Sequence, residues 1–151
     1  MGAVLSVKSD EFNSIVSVFA CRVQWGDCDP AGIIFYPTYF RWIDAASWAL
    51  FESAGYGPKW MRAEHVAMPL VSAECQFLVP AEHGDCCEVR SRIARFGGKS
   101  FAVEHDIVRL DGTALAKGKE TRVWGRHVDG PGTPLKGETI PEELKARFRA
   151  K

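Results

Sequence analysis

Hydrophobic and polar positions change their spacing twice along this chain. In residues 15–26, Phe19, Cys21, Val23 and Trp25 alternate with Ala20, Arg22 and Gln24, which predicts a half-buried strand. From Tyr39 the spacing becomes helical. Phe40, Ile43, Ser47, Leu50 and Ala54 form one stripe, and Tyr39, Trp42, Ala46 and Ala49 the next. Pro37 suits the first turn, where its missing N–H costs nothing, and Gly55 supplies a left-handed cap after Ala54. A helix apolar over most of its circumference is expected to be enclosed rather than laid on a surface.

After an expected loop at residues 56–64, alternation returns. Val71, Ala73, Cys75, Phe77 and Val79 run to Pro80; Cys87, Val89, Ser91 and Ile93 run to a turn at Gly97-Gly98. Phe101, Val103, His105, Ile107 and Arg109 lead into Asp111-Gly112, a strong hairpin signal. Residues 115–128 read as a last strand. Gly130 to Pro134 break the pattern, and Pro141-Glu142-Glu143 open a short terminal helix over 141–151. Residues 1–14 have no clear pattern and are expected to be a flexible lead-in. The order predicts an α+β fold, an antiparallel sheet of about five strands curled around one long helix, with edges suited to pairing with another copy.

Composition narrows the class. The 151 residues fit a single domain with a real core, and nineteen acidic residues cancel nineteen basic ones. That balance argues against a general nucleic-acid or anionic-membrane binder, and no apolar run reaches the roughly 20 residues of a membrane span. The five cysteines lack paired C-x-x-C spacing, which argues against a zinc site or disulfide scaffold and fits a reduced, cytoplasmic setting. None of the four histidines has ligand spacing, so no metal is expected.

The candidate chemistry lies in residues 25–44. Asp29 stands in a Pro/Gly turn directly ahead of the apolar helix. A helix start offers unpaired N–H groups and partial positive charge, and an acid beside such donors has what acyl transfer needs. Asp27 reads as a turn or capping acid. Cys28 reads as a small turn-filling thiol, and His105 as an inward or interface packing residue.

The block Gly26-Asp27-Cys28-Asp29-Pro30-Ala31-Gly32-Ile33-Ile34-Phe35-Tyr36-Pro37, followed by Arg41-Trp42-Ile43-Asp44-Ala45-Ala46-Ser47, is similar to hotdog-fold acyl-CoA thioesterases. It most resembles the 4-hydroxybenzoyl-CoA thioesterase type. The resemblance runs from about residue 18 to 128 and implies a single hotdog domain whose subunits pair, as a dimer or a homotetrameric dimer of dimers, with active sites between them. By position Asp29 matches the catalytic carboxylate, as nucleophile or general base. Tyr36 matches the residue whose backbone N–H polarises the thioester carbonyl, and Gly32 belongs to the same motif.

The same resemblance implies an acyl-CoA substrate and no separate cofactor, since coenzyme A is part of the substrate. The acyl pocket is expected along Phe35, Met68, Pro69 and Leu70, with Asp44 meeting a polar ring substituent. Lys99 and Ser100 match a turn that contacts the nucleotide, although Gly97-Gly98 stand where aromatic-acyl members can carry basic residues. Lys136 matches a further basic position, and Arg126 is another candidate. The leading expectation is therefore hydrolysis of an aromatic acyl-CoA. Short-chain or carrier-protein thioesters, or acyl-CoA binding without catalysis, are the alternatives.

Overall fold

A computed structural model of the chain describes residues 16–149. The expected lead-in at residues 1–14 and the last two positions of the expected terminal helix lie outside the described residues. Strand β1 (Ser17–Arg22) leads through a 3-10 turn (Trp25–Asp27) to the long helix α1 (Pro37–Ser53). A short helix α2 (Pro58–Ala63) follows, then β2 (Val66–Ala67), β3 (Leu70–Phe77), β4 (Cys86–Phe96), β5 (Ser100–Arg109) and β6 (Ala114–Val123). Strands β7 (Gly125–His127) and β8 (Leu135–Gly137) and helix α3 (Glu142–Arg147) complete it.

The main sheet is antiparallel in the order β1-β4-β5-β6-β3, and α1 packs against one of its faces. This is the expected α+β architecture: hairpin-linked neighbours at the centre, with the first strand and β3 at the edges. Gly55 closes α1 as expected, at φ +92°, while the Tyr56 N–H donates to the Phe51 carbonyl at 2.9 Å.

Four features depart from the pattern. The expected loop at 56–64 holds α2, which starts at Pro58 behind Gly57. The expected strand 115–128 is two strands, because the chain turns at the buried Trp124 and β7 joins β2 and β8 in a separate three-stranded sheet. Trp25 does not point inward. It is 71% exposed and stacks on His83, ring centroids 3.9 Å apart. Helix α1 is enclosed only on its sheet side, since Arg41 and Asp44 are exposed and Phe40 and Trp48 half-buried.

The interior is divided along its length. One apolar cluster joins Val23, Tyr39, Ile43 and Ala46 to Val89, Ile107 and Leu115. The other joins Leu50, Phe51 and Met61 to Ile93, Phe101, Trp124 and Phe148. Between them, on inward positions of four elements, sit Ser47 (α1), Ser91 (β4), His105 (β5) and Glu120 (β6), all buried. Gly118 of β6 leaves room for Ile43, whose Cδ1 would meet any Cβ placed there at 2.4 Å.

Candidate active site

The motif around Asp29 folds as a tight turn for local reasons. The Gly32 N–H donates to the Asp29 carbonyl at 2.9 Å, with Pro30 and Ala31 as the central residues. Gly32 then takes φ +81°, and the Asp29 N–H donates back to the Ile33 carbonyl at 2.9 Å. Proline second, glycine last and an acid first is the residue order such a turn with a glycine bulge requires. The Ala31 N–H donates to Asp29 Oδ1 at 2.8 Å, so the side chain also locks its own turn. Among the described residues, Asp29 Oδ2 has no partner and no cation lies within ion-pair distance.

Asp27 is the organiser beneath this turn. Its carboxylate accepts from the Gln24 N–H and from Arg41, each at 2.8 Å. Its carbonyl accepts from the Phe35 N–H at 2.8 Å and the Thr38 hydroxyl at 3.2 Å. Asp27 is therefore structural, as read from the sequence. Cys28 turns its Sγ toward the Gln24 carbonyl, 3.5 Å away.

The start of α1 is arranged so that one donor remains. Pro37 has no N–H, and the Thr38 and Tyr39 amides donate to the carbonyls of Phe35 and Tyr36. The Tyr36 N–H makes no hydrogen bond among the described residues. Asp29 and Tyr36 line a cleft of about 360 Å³ together with Ile33, Tyr39, Phe77 and Val79. Burial, then Cys75, pushes the Tyr39 phenol up to about 12, so this wall is neutral. Burial likewise pushes the Cys21 thiol up to about 12 and the Cys75 and Cys87 thiols to about 11, which leaves them as packing groups.

The remaining expected site residues fall elsewhere. Phe35 is exposed and packs edge-on to Tyr36, ring centroids 5.3 Å apart, outside the residues lining the cleft. Met68 is buried in the second apolar cluster, and Asp44 is exposed two turns along α1. Lys99 ends the β4–β5 turn and Ser100 opens β5; the Lys99 stem lies over Gly137, next to Lys136. Arg126 is paired with Glu138 at 2.9 Å. Ser100 pairs with Val123 at one end of the sheet, whereas Phe77 and Ala116 pair at the other, beside Asp29. One chain thus keeps its basic turn and its candidate acid at opposite ends, roughly 20 Å apart at about 3.3 Å per residue.

Asp44 and Met68 are joined by a residue the sequence reading left unremarked. Arg122 donates to Asp44 Oδ1 at 2.7 Å, Glu120 Oε1 at 2.7 Å and the Met68 carbonyl at 3.0 Å. Glu120 Oε2 meets the Ser47 hydroxyl and, at 3.2 Å, His105 Nε2, while His105 Nδ1 faces the Ser91 hydroxyl at 2.7 Å. Burial pushes the Glu120 carboxyl upward, but hydrogen bonds from His105, Arg122 and Ser47 outweigh it and hold the group below its ordinary value. Burial works to lower Arg122, and Glu120 and Asp44 raise it instead. The available signal was parity: Glu120 and Arg122 share the inward phase of Ala116, Gly118 and Trp124, where charge is unusual.

With this geometry in hand, comparison with known proteins places the chain. The family model of the Thioesterase-like superfamily matches residues 23–148, and the chain belongs to that family, with the hotdog fold. The 4-hydroxybenzoyl-CoA thioesterase of Pseudomonas sp. (strain CBS-3) is 32% identical over 130 residues, covering 81% of this chain and 89% of that protein. The solved structure of 4-hydroxybenzoyl-CoA thioesterase from the same strain superposes with a TM-score of 0.79 at 28% identity, covering 89% of this chain and 99% of that one. The structure of BH1999 gentisyl-coenzyme A thioesterase gives 0.76 at 32% identity, covering 85% and 99%.

Proposed function

We propose that this chain, a thioester hydrolase by family, hydrolyses acyl-CoA thioesters carrying hydroxylated aromatic acyl groups, with Asp29 and the Tyr36 backbone as its machinery. One observation carries the reading: a carboxylate with an unspent oxygen and an amide without an acceptor line the same cleft. The thioester carbonyl oxygen accepts from the Tyr36 N–H, which stabilises the oxyanion as charge develops. Asp29 then either attacks the carbonyl carbon, giving a mixed anhydride that water cleaves, or takes a proton from the attacking water. In both routes the sulfur leaves with the bonding pair and is protonated as free coenzyme A. Water supplies the second oxygen of the acid, so the reaction consumes no resident cofactor.

An aromatic acyl group is supported by relatives named for 4-hydroxybenzoyl- and gentisyl-coenzyme A. It is also supported by the outer side of α1, which runs Phe40, Arg41, Asp44, Trp48 away from the Tyr36 amide. Asp44 lies roughly 12 Å beyond that amide at 1.5 Å per residue, close to the span of an aroyl thioester plus a hydrogen bond.

The working unit is a homo-oligomer, a dimer or a dimer of dimers. Strand β3 is an open edge with Leu70, Val71 and Phe77 exposed, an arrangement proteins normally cover. Antiparallel pairing of two β3 edges about a two-fold axis puts the Leu70 end of one copy against the Phe77 end of the other. The partner's Lys99 and the partner's Lys136 then approach the Asp29 cleft and can meet the coenzyme phosphates.

The test is thiol release from a panel of aromatic, short aliphatic and long-chain acyl-CoAs, with sedimentation of the same preparation. We expect 4-hydroxybenzoyl-CoA to be turned over fastest, by a species of dimer mass or larger. Background release across the panel sinks the catalytic reading, faster turnover of aliphatic thioesters sinks the aromatic one, and an active monomer removes the paired site.

A further inference from the structure

The polar belt has an outlet. Ser91, His105, Ser47 and Glu120 are buried, and Arg122 is 4% exposed, yet the chain of bonds ends on the exposed carboxylate of Asp44. No member of the belt lines the Asp29 cleft, and the belt reaches α1's outer side through the Arg122–Asp44 bond. Such a charged run inside a core is seldom the most stable choice, since apolar residues of similar volume often serve as well or better. It does, however, hold a guanidinium immobile. The two terminal nitrogens of Arg122 are taken up by Met68, Glu120 and Asp44, so the group cannot swing out to meet a ligand. What reaches solvent is Asp44 Oδ2, which has no partner among the described residues.

We infer that Arg122, anchored by Glu120, is the positioning residue that sets acyl-group selection, by pinning Asp44 as a single fixed acceptor for a hydroxyl at the far end of the acyl group. This rests on the aromatic acyl-CoA reading and adds the group that enforces it. A pinned, ionised acceptor rewards an acyl group ending in a hydrogen-bond donor and is indifferent to one ending in C–H. It repels one ending in carboxylate, because Arg122 is already committed to Glu120, Asp44 and the Met68 carbonyl, and Arg41, one turn back on α1, is paired with Asp27. The order of preference is therefore 4-hydroxybenzoyl over benzoyl over 4-carboxybenzoyl. Without Arg122 the Asp44 side chain regains its rotamers on an exposed helix face, and the order flattens.

The experiment measures binding, so that it does not depend on turnover. Calorimetry gives Kd for 4-hydroxyphenacyl-CoA and phenacyl-CoA, thioether ketones in which a methylene separates carbonyl from sulfur. The proteins are the full wild-type chain, Asp44→Ala, the pair Glu120→Gln with Arg122→Met, and all three changes together. The pair removes both buried charges at once, which avoids stranding one of them. We expect the wild-type protein to prefer the hydroxylated ligand about 10-fold or more, the value of a hydrogen bond to a charged group. Asp44→Ala and the buried pair should each reduce the preference to about two-fold or less, and the triple variant should lose nothing further. The inference is overturned if the wild type shows no preference, if the buried pair keeps the wild-type ratio, or if that pair weakens both ligands equally. Thiol release from 4-hydroxybenzoyl-CoA, run in parallel, reports separately on catalysis: an inert wild type that still discriminates the analogues sinks the thioesterase reading and leaves Arg122 in place.

Discussion

Two carboxylates in this molecule meet opposite environments. Glu120 is 2% exposed and both of its oxygens are satisfied, by Arg122, His105 and Ser47. Asp29 is half-buried on a turn, with one oxygen spent on its own backbone and the other open to a cleft. Taken alone, the buried Ser–His–Glu grouping looks more like catalytic machinery than the turn acid does. Its geometry argues the reverse: the three side chains are buried and bonded to one another, and none of them lines the cleft that Asp29 faces. On the proposed reading, reactivity belongs to the acid that keeps an unspent oxygen beside an unspent donor, while a fully bonded acid holds something else still.

The contrast breaks most sharply on Asp29→Asn. It should lower kcat/KM for 4-hydroxybenzoyl-CoA by roughly 10²–10⁴-fold, the usual worth of a proton-transfer group, while phenacyl-CoA still binds. Turnover within two-fold of wild type would remove Asp29 from the chemistry. Arg122→Met should do the opposite, costing about 3–5 kcal/mol in urea unfolding because Glu120 is left buried without its cation. Adding Glu120→Gln should recover most of that loss; failure to recover would show that the belt's shape matters more than its charge.

Acid titration sharpens the comparison further. Glu120 is held below its ordinary value of 4.5 in the folded chain. Its stabilisation is therefore complete above that value and fades as pH falls through the lower folded one. Thermal melts from pH 6 downward should show the wild type losing stability faster than Glu120→Gln; parallel curves would deny the carboxylate that role. The smallest effect is Gly32→Ala. A Cβ there meets nothing within 4 Å, but φ +81° is strained for alanine, so about 1 kcal/mol of stability should be lost. A stability change near zero would mean the turn has relaxed, and kcat/KM would then report how far Asp29 moved with it.

The sequence by itself determined what is decided over short distances. The Asp29-Pro30-Ala31-Gly32 turn, the limits of α1 at Pro37 and Gly55, and the hairpin at Asp111-Gly112 follow from residues that fix φ, remove a donor or close their own bonds. Alternation was enough for β4 and β5, because each inward residue there meets a covered face. It misled at Trp25 and beyond Trp124, where burial depended on which distant element lay opposite. Only the tertiary structure joined Ser47, Ser91, His105, Glu120 and Arg122 into one belt ending at Asp44, for they come from helix α1 and three strands, β4, β5 and β6, and each reads locally as part of its own element's pattern. It also left the basic turn at Lys99 and the acid at Asp29 on opposite ends of one sheet. Chain-local chemistry carries no information about that separation, because the register of five strands sets it.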